Sequence, residues 1–222
     1  MESPATLDQA TSSGLEFFAR ARARLTLEVP AGLRDAGILP RRGDHDIDPV
    51  MQKIAATRPI RPAAVLVPIV DRDEPMVLLT QRAAHLKDHG GQISFPGGKI
   101  EATDASPAAA AIREAQEEIG LAPQLIEPLG YLDLYLTTLG YRIVPTLARV
   151  APDFRLRLNH EEVEDSFEVP LAFLMAPENH QRHSRDWNGM TRSFYAMPFG
   201  ERYIWGATAG ILRNLYERIY AA

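Results

Sequence analysis

Cysteine is absent from the 222 residues. That excludes disulfide staples, thiol nucleophiles, and zinc or iron–sulfur centres held by thiolates. A basic excess is absent too: 24 Lys and Arg stand against 29 Asp and Glu, for a net charge of −5. No bulk field for nucleic acid follows from that balance. Long apolar runs are also missing. The strongest, Ala63 to Val70, is eight residues with Pro68 inside it, against the roughly 20 that a spanning helix needs. Met1-Glu2-Ser3-Pro4 is acidic and does not look like a secretory leader. The expectation is a cytoplasmic protein with no membrane and no nucleic-acid partner.

What is present is an ordinary globular composition, 45% hydrophobic and 24% charged. A chain of this length buries roughly 70% of its unfolded surface and builds a core without staples. Leu15, Phe17, Phe18 and Leu25 predict a helix near 13–28, ended by Pro30, with Arg20, Arg22 and Arg24 outward. Prolines and glycines break residues 31–62 into an irregular arm with a short helix near 49–57. From Ala63 the character changes. A buried strand over 63–70, the charged turn 71–75 and a strand over 76–80 read as a hairpin. Further strands are expected near 127–136, 141–150 and 165–169, a helix at 170–176, two short strands within 177–200 and a helix over 206–220. Strands and helices intermixed around one core give α/β or α+β. The division is an arm, 1–59, and a domain, 60–222.

The segment Ser106 to Gly120 carries most information. Ser106 suits an N-cap, Pro107 the first helical position and Gly120 the stop. At about 100° per residue, Glu114, Glu117 and Glu118 fall within about 100° of arc, and Ala108, Ile112, Ala115 and Ile119 form the opposite face. Arg113 precedes Glu117 by four and can pair with it. Three carboxylates on adjacent turns repel unless something neutralises them, and oxygen-rich sites suit Mg²⁺ or Mn²⁺. Alone, such a face is more often solvated.

Its surroundings change that weighing. Upstream lies Ser94-Phe95-Pro96-Gly97-Gly98-Lys99, where glycines let backbone approach a ligand. The string Gly98-x5-Asp104-x8-Arg113-Glu114-Ala115-x-Glu117-Glu118-x-Gly120-Leu121 resembles the Nudix box. Asp104 stands where the box has Glu, and one extra residue separates it from Arg113. A second stretch, Leu78-Leu79-Thr80-x-Arg82-Ala83-x3-Lys87-x3-Gly91-x3-Phe95-Pro96-Gly97-Gly98, resembles the signature of coenzyme A pyrophosphatases, with Lys87 where Arg is usual. Gly140 to Pro145 and Tyr203 to Gly210 are similar to that subfamily as well.

The resemblance implies an α/β/α sandwich with a mixed sheet between helices. It implies divalent-metal hydrolysis of coenzyme A to 4′-phosphopantetheine and adenosine 3′,5′-bisphosphate. A cation there offsets phosphate charge, polarises the P–O bond and helps deprotonate water. Glu114 and Glu118 are the implied first metal ligands, with Glu117 and the Gly98 carbonyl beside them. Glu117, Glu162 and Arg113 are the catalytic candidates, Arg113 as the residue that orients Glu117 and Glu162 as metal ligand or base. Arg61, Arg82, Lys87, His89 and Gln92 are the substrate-binding candidates, each equally at home on a solvated surface. Two other readings stay open: hydrolysis of another nucleoside diphosphate derivative, such as ADP-ribose or a dinucleotide, and a Nudix-fold binding module without turnover. The protein reads as a monomer or homodimer.

Competing motifs fail. A phosphate-binding P-loop would need Gly at Ile93 and Ser or Thr at Ile100. His85 and His89 have zinc-pair spacing, but Leu86 replaces the Glu. Asp44-x-Asp46-x-Asp48 starts like a calcium loop, but Pro49 sits where Gly is required.

Overall fold

The structure is a computed structural model and describes residues 4–187 and 189–221. Along the chain run α1 (Pro4–Arg24), β1 (Arg42–Gly43), α2 (Val50–Ala56), β2 (Arg61–Val70), β3 (Met76–Arg82), β4 (Ile93–Ser94) and β5 (Gly97–Lys99). Then follow α3 (Pro107–Ile119), β6 (Ile126–Tyr131), β7 (Tyr135–Leu136), β8 (Tyr141–Val150), β9 (Val163–Pro170) and α4 (Leu171–Met175). The chain closes with β10 (Gln181–Trp187), β11 (Met190–Phe199), β12 (Arg202–Trp205) and α5 (Ala207–Tyr216).

From Ala63 to Val70 β2 is apolar because both its faces are covered there. It runs parallel to β8, from Arg61 opposite Tyr141 to Val70 opposite Val150. Its tip pairs antiparallel with β3, and Ala63–Val65 pair with β5. β9 lies antiparallel on β3, with a bulge between Gln81 and Arg82. β1 to β9 thus form one mixed sheet. Strand alternation splits the core in two. Ala64, Leu66, Val70 and Leu78 meet Ala110, Ala111, Ala115 and Ile119 of α3. On the other face, Val67, Ile69, Val77 and Leu79 meet α1 and α5. The sandwich with helices on both faces is therefore present.

α3 forms where its caps place it. Ser106 Oγ accepts the Ala109 amide at 3.1 Å, and Gly120 closes the helix at φ 67°. Other elements differ from expectation. α1 starts at Pro4 and stops at Arg24, and Leu15 is 71% exposed, not buried. Phe17, Phe18, Ala21 and Leu25 are the residues that enter the core. The arm is less irregular than its prolines suggest, since β1 joins the main sheet on β7. The buried Arg142 guanidinium donates to the carbonyls of Gly32 and Asp35, pinning the arm to β8. The expected strand 127–136 is two strands, interrupted after Tyr131. Residues 177–200 hold long strands, and with β12 they build a second, three-stranded antiparallel sheet.

Phe17→Ala should cost about 3–5 kcal/mol in denaturant unfolding, because the cavity opens inside the core. Leu15→Ala, two residues away, should change stability by less than about 0.5 kcal/mol.

Candidate active site

The site sits where β5 meets α3. The Gly97 amide donates to Glu118 Oε2 at 3.0 Å, across 21 positions of sequence. Glu118 is otherwise walled in, its side chain 4% exposed. Arg82 Nη1, at the end of β3, stands 3.8 Å from Glu118 Oε1. Gly98 is glycine for a steric reason: a Cβ there would lie 2.5 Å from the Glu114 carboxylate. The Gly-Gly pair and two box carboxylates are thus packed into one wall.

Arg113 organises the next layer. Its Nε and Nη2 grip the two Asp104 oxygens at 3.0 and 3.1 Å. Nη1 reaches Glu114 Oε1 and Glu117 Oε2, each at 3.0 Å, and Nη2 also donates to the Lys99 carbonyl at 3.1 Å. All five guanidinium donors are committed. Asp104 Oδ2 further accepts the Glu101 amide at 2.8 Å. The Arg113 pairing holds the Asp104 carboxyl below its ordinary range. Asp104, open to question in the sequence, is the residue that fixes Arg113.

Glu162 arrives on the loop before β9. Asn159 Nδ2 donates to Glu162 Oε1 at 3.2 Å, while the Asn159 amide donates to the Glu118 carbonyl at 2.8 Å. The Ala83 amide donates to the Glu162 carbonyl at 2.9 Å. One asparagine therefore ties this loop to the end of α3. Nothing in its local sequence announces that role, because the partner carbonyl is distant in the chain.

Electrostatics follow from burial. The Glu118 carboxyl is pushed up to about 7 from 4.5, first by desolvation, with the Glu114 and Glu162 charges adding to it. The Gly97 amide and Arg82 oppose that rise. Burial raises Glu114 as well, against Arg113. Glu117 is 55% exposed and faces outward. Among the described residues, no three carboxylate or imidazole groups converge closely enough to enclose a cation alone. Mg²⁺ seldom needs that. It takes one or two carboxylates, keeps waters and shares substrate phosphates. The all-oxygen set of Glu114, Glu118 and the Gly98 carbonyl fits such a partial site.

The substrate candidates separate. Arg82 joins the carboxylates. His89, at φ 59°, shares a 3.0 Å hydrogen bond with Gln92 on the exposed loop after β3. Lys87 is exposed on the same loop. Arg61 lies over the Tyr141 ring at 5.4 Å, at the start of β2. The structure shows no contact from Arg61, Lys87, His89 or Gln92 to the carboxylates. Two clefts, about 430 and 620 Å³, lie beside the second sheet instead, and Gln92 lines the larger of the two. Arg202 was not anticipated. It bridges Gln81 and Asp165 at 2.6 and 2.5 Å and enters that cleft.

The model of the NUDIX domain matches residues 60–187, more than half the chain. The chain belongs to the Nudix family. A Nudix relative, the uncharacterized Nudix hydrolase NudL of Escherichia coli strain K12, is 40% identical over 159 residues, covering 72% of this chain and 83% of that protein. Among solved structures, a Caenorhabditis elegans Ap4A hydrolase complex matches with TM-score 0.41 and 23% identity, over 50% of this chain and 80% of that one. The NUDIX domain of Shewanella oneidensis NrtR, complexed with ADP ribose, matches with TM-score 0.38 and 21% identity, over 57% and 80%. Among the described residues of this Nudix chain, no helix is long and apolar enough to cross a membrane.

Glu118 gives a stability prediction for the metal-free protein. The unfolded chain loses this proton near 4.5 and the folded chain near 7. The Glu118 contribution to stability is therefore fully present below about pH 4.5 and is lost as pH rises through 7, by on the order of 3 kcal/mol. In EDTA, Glu118→Gln should match the wild type in thermal unfolding at pH 4.5. It should be the more stable of the two at pH 8. A parallel fall of both proteins between those pH values would contradict the assignment.

Proposed function

We propose that this Nudix protein is a Mg²⁺- or Mn²⁺-dependent diphosphatase that cleaves coenzyme A or a derivative into 4′-phosphopantetheine and adenosine 3′,5′-bisphosphate. One observation carries the reading. The stretch that resembles the coenzyme A pyrophosphatase signature and the stretch that resembles the Nudix box meet at one carboxylate, Glu118. Arg82 and the Gly97 amide come from the first, and Glu118 itself from the second.

The chemistry is hydrolysis of an acid anhydride. Water oxygen bonds to one phosphorus, the bridging P–O bond breaks, and the water proton leaves to a base. Glu114 and Glu118 would hold the cation, with Glu117 and the Gly98 carbonyl as further oxygen donors. When bound, such a cation offsets phosphate charge and favours deprotonation of water. Glu162, aimed by Asn159, is the base this chain offers. Arg113 acts as a positioning residue, because its five donors are already used within the protein. Arg82 is placed to meet phosphate oxygen beside Glu118. Arg61, Lys87, His89 and Gln92 remain outer contacts for the rest of the substrate. The protein works in the cytoplasm on a small molecule.

The test is mass spectrometry of products after incubation with coenzyme A, with Mg²⁺, with Mn²⁺ and without metal. Metal-dependent appearance of both products is expected. Glu118→Gln should lose orders of magnitude in rate while remaining folded. Absence of product from coenzyme A, with turnover of ADP-ribose or a dinucleotide, would move the assignment to that substrate class.

A further inference from the structure

A sheet that packs one face on a core is expected to turn a polar face to water. The second sheet turns a mixed one, with aromatic rings set among arginines. Its inner side carries Met197 and Ile204 into the core. The opposite side carries rings on all three strands: His183 on β10, Phe194 on β11, Tyr203 and Trp205 on β12. Register puts them together, with His183 opposite Phe194 and Trp205 opposite Ala196, two places along from Phe194.

The rings form a continuous surface. Phe194 and Trp205 lie 5.1 Å apart between centroids, Tyr203 and Trp205 6.5 Å, and His183 stacks on Tyr203 at 5.9 Å. Tyr203 is 41% exposed. The imidazole is fixed at both nitrogens, Nδ1 to the Tyr203 hydroxyl at 2.6 Å and Nε2 to Gln181 Oε1 at 2.9 Å. The platform is thus rigid before any ligand arrives, which lowers the ordering cost of binding.

Both clefts open on these rings, and they share Tyr203 and Trp205. The smaller, about 430 Å³, adds Arg185 and Ser184. The larger, about 620 Å³, adds Gln81, Glu201, Arg202 and Gly90 to Ile93. That loop leaves β3 at Arg82, the residue beside Glu118. The exposed Tyr203 ring and its half-buried neighbours, flanked by the exposed Arg185 guanidinium, suit a planar base bearing phosphate. Every base has a π face to stack, and arginine takes phosphate oxygens.

We propose that the outer face of the second sheet is a nucleobase-stacking subsite, taking the purine of a nucleoside phosphate against the ring faces of Tyr203 and Trp205. The inference deepens the diphosphatase reading and rests on it for the identity of the ligand.

A binding assay separates the two. In a W187F background Trp205 is the sole tryptophan. Adenosine monophosphate in EDTA should quench its fluorescence saturably. Ribose 5-phosphate, which lacks the base, should not. Tyr203→Ala and His183→Ala should each weaken the quench titration, Tyr203→Ala by about tenfold or more. In turnover, Tyr203→Ala should lower the ratio of kcat/KM for a base-bearing diphosphate over a base-free one by about tenfold. Equal quenching by ribose 5-phosphate, no quenching by the monophosphate, or an unchanged titration in both variants would overturn the subsite. So would self-association of the chain that Tyr203→Ala abolishes while nucleotide binding is untouched. Quenching in a chain that hydrolyses no diphosphate would uphold the subsite and remove the diphosphatase reading. Hydrolysis without quenching would do the reverse.

Discussion

The hydrogen bond from the Gly97 amide to Glu118 joins the end of one resembling segment to the middle of the other. Much of the site depends on it. It places a carboxylate of α3 against the backbone of β5, and it draws Gly98 so close to Glu114 that no side chain fits between them. β5 is anchored in turn by its pairing with β2. The helix is anchored by alanines, whose small side chains let α3 lie close over the sheet. Close helix–strand packing and carboxylate placement are one constraint seen from two sides.

That constraint is costly to the metal-free fold. A carboxyl pushed up to about 7 gives up stability at neutral pH. Arg113 is spent on Asp104, Glu114, Glu117 and the Lys99 carbonyl, and so does not neutralise Glu118. Arg82 stands at 3.8 Å, beyond hydrogen-bonding distance. In the proposed function a cation would offset the Glu118 charge, and an incoming diphosphate would complete that cation's oxygen set. Sites that trade stability for chemistry commonly carry this signature.

Much of this was legible in the residues. Ser106, Pro107 and Gly120 mark both ends of α3, because capping is local chemistry. The apolar run of β2 marks a strand covered on both faces. The acidic face of α3 is visible by angle alone. Other features were hidden. β1 is two residues long, too short for any periodicity, and forms only because β7 offers it a partner. Leu15 looks like a core residue but points away, since tertiary packing chose Phe17 and Phe18 instead. Two short strands were expected within 177–200, but their length and the three-stranded sheet escaped, because they mix arginine, serine and aromatics on both faces and alternation of polarity is weak. Asp104 is readable as an acid, yet its grip on Arg113 depends on a loop that brings residues nine apart into contact. Asn159 reaches Glu118 through backbone groups, which leave no side-chain pattern.

The most direct test of the account is a Mn²⁺ titration followed by electron paramagnetic resonance, with no substrate present. The wild-type chain should bind Mn²⁺ saturably. Glu118→Gln and Glu114→Gln should each weaken that binding by about tenfold or more, while Lys87→Gln on the exposed loop leaves it unchanged. If the two glutamate variants bind Mn²⁺ as tightly as the wild type, the buried carboxylates are not the ligands and the account of this site fails.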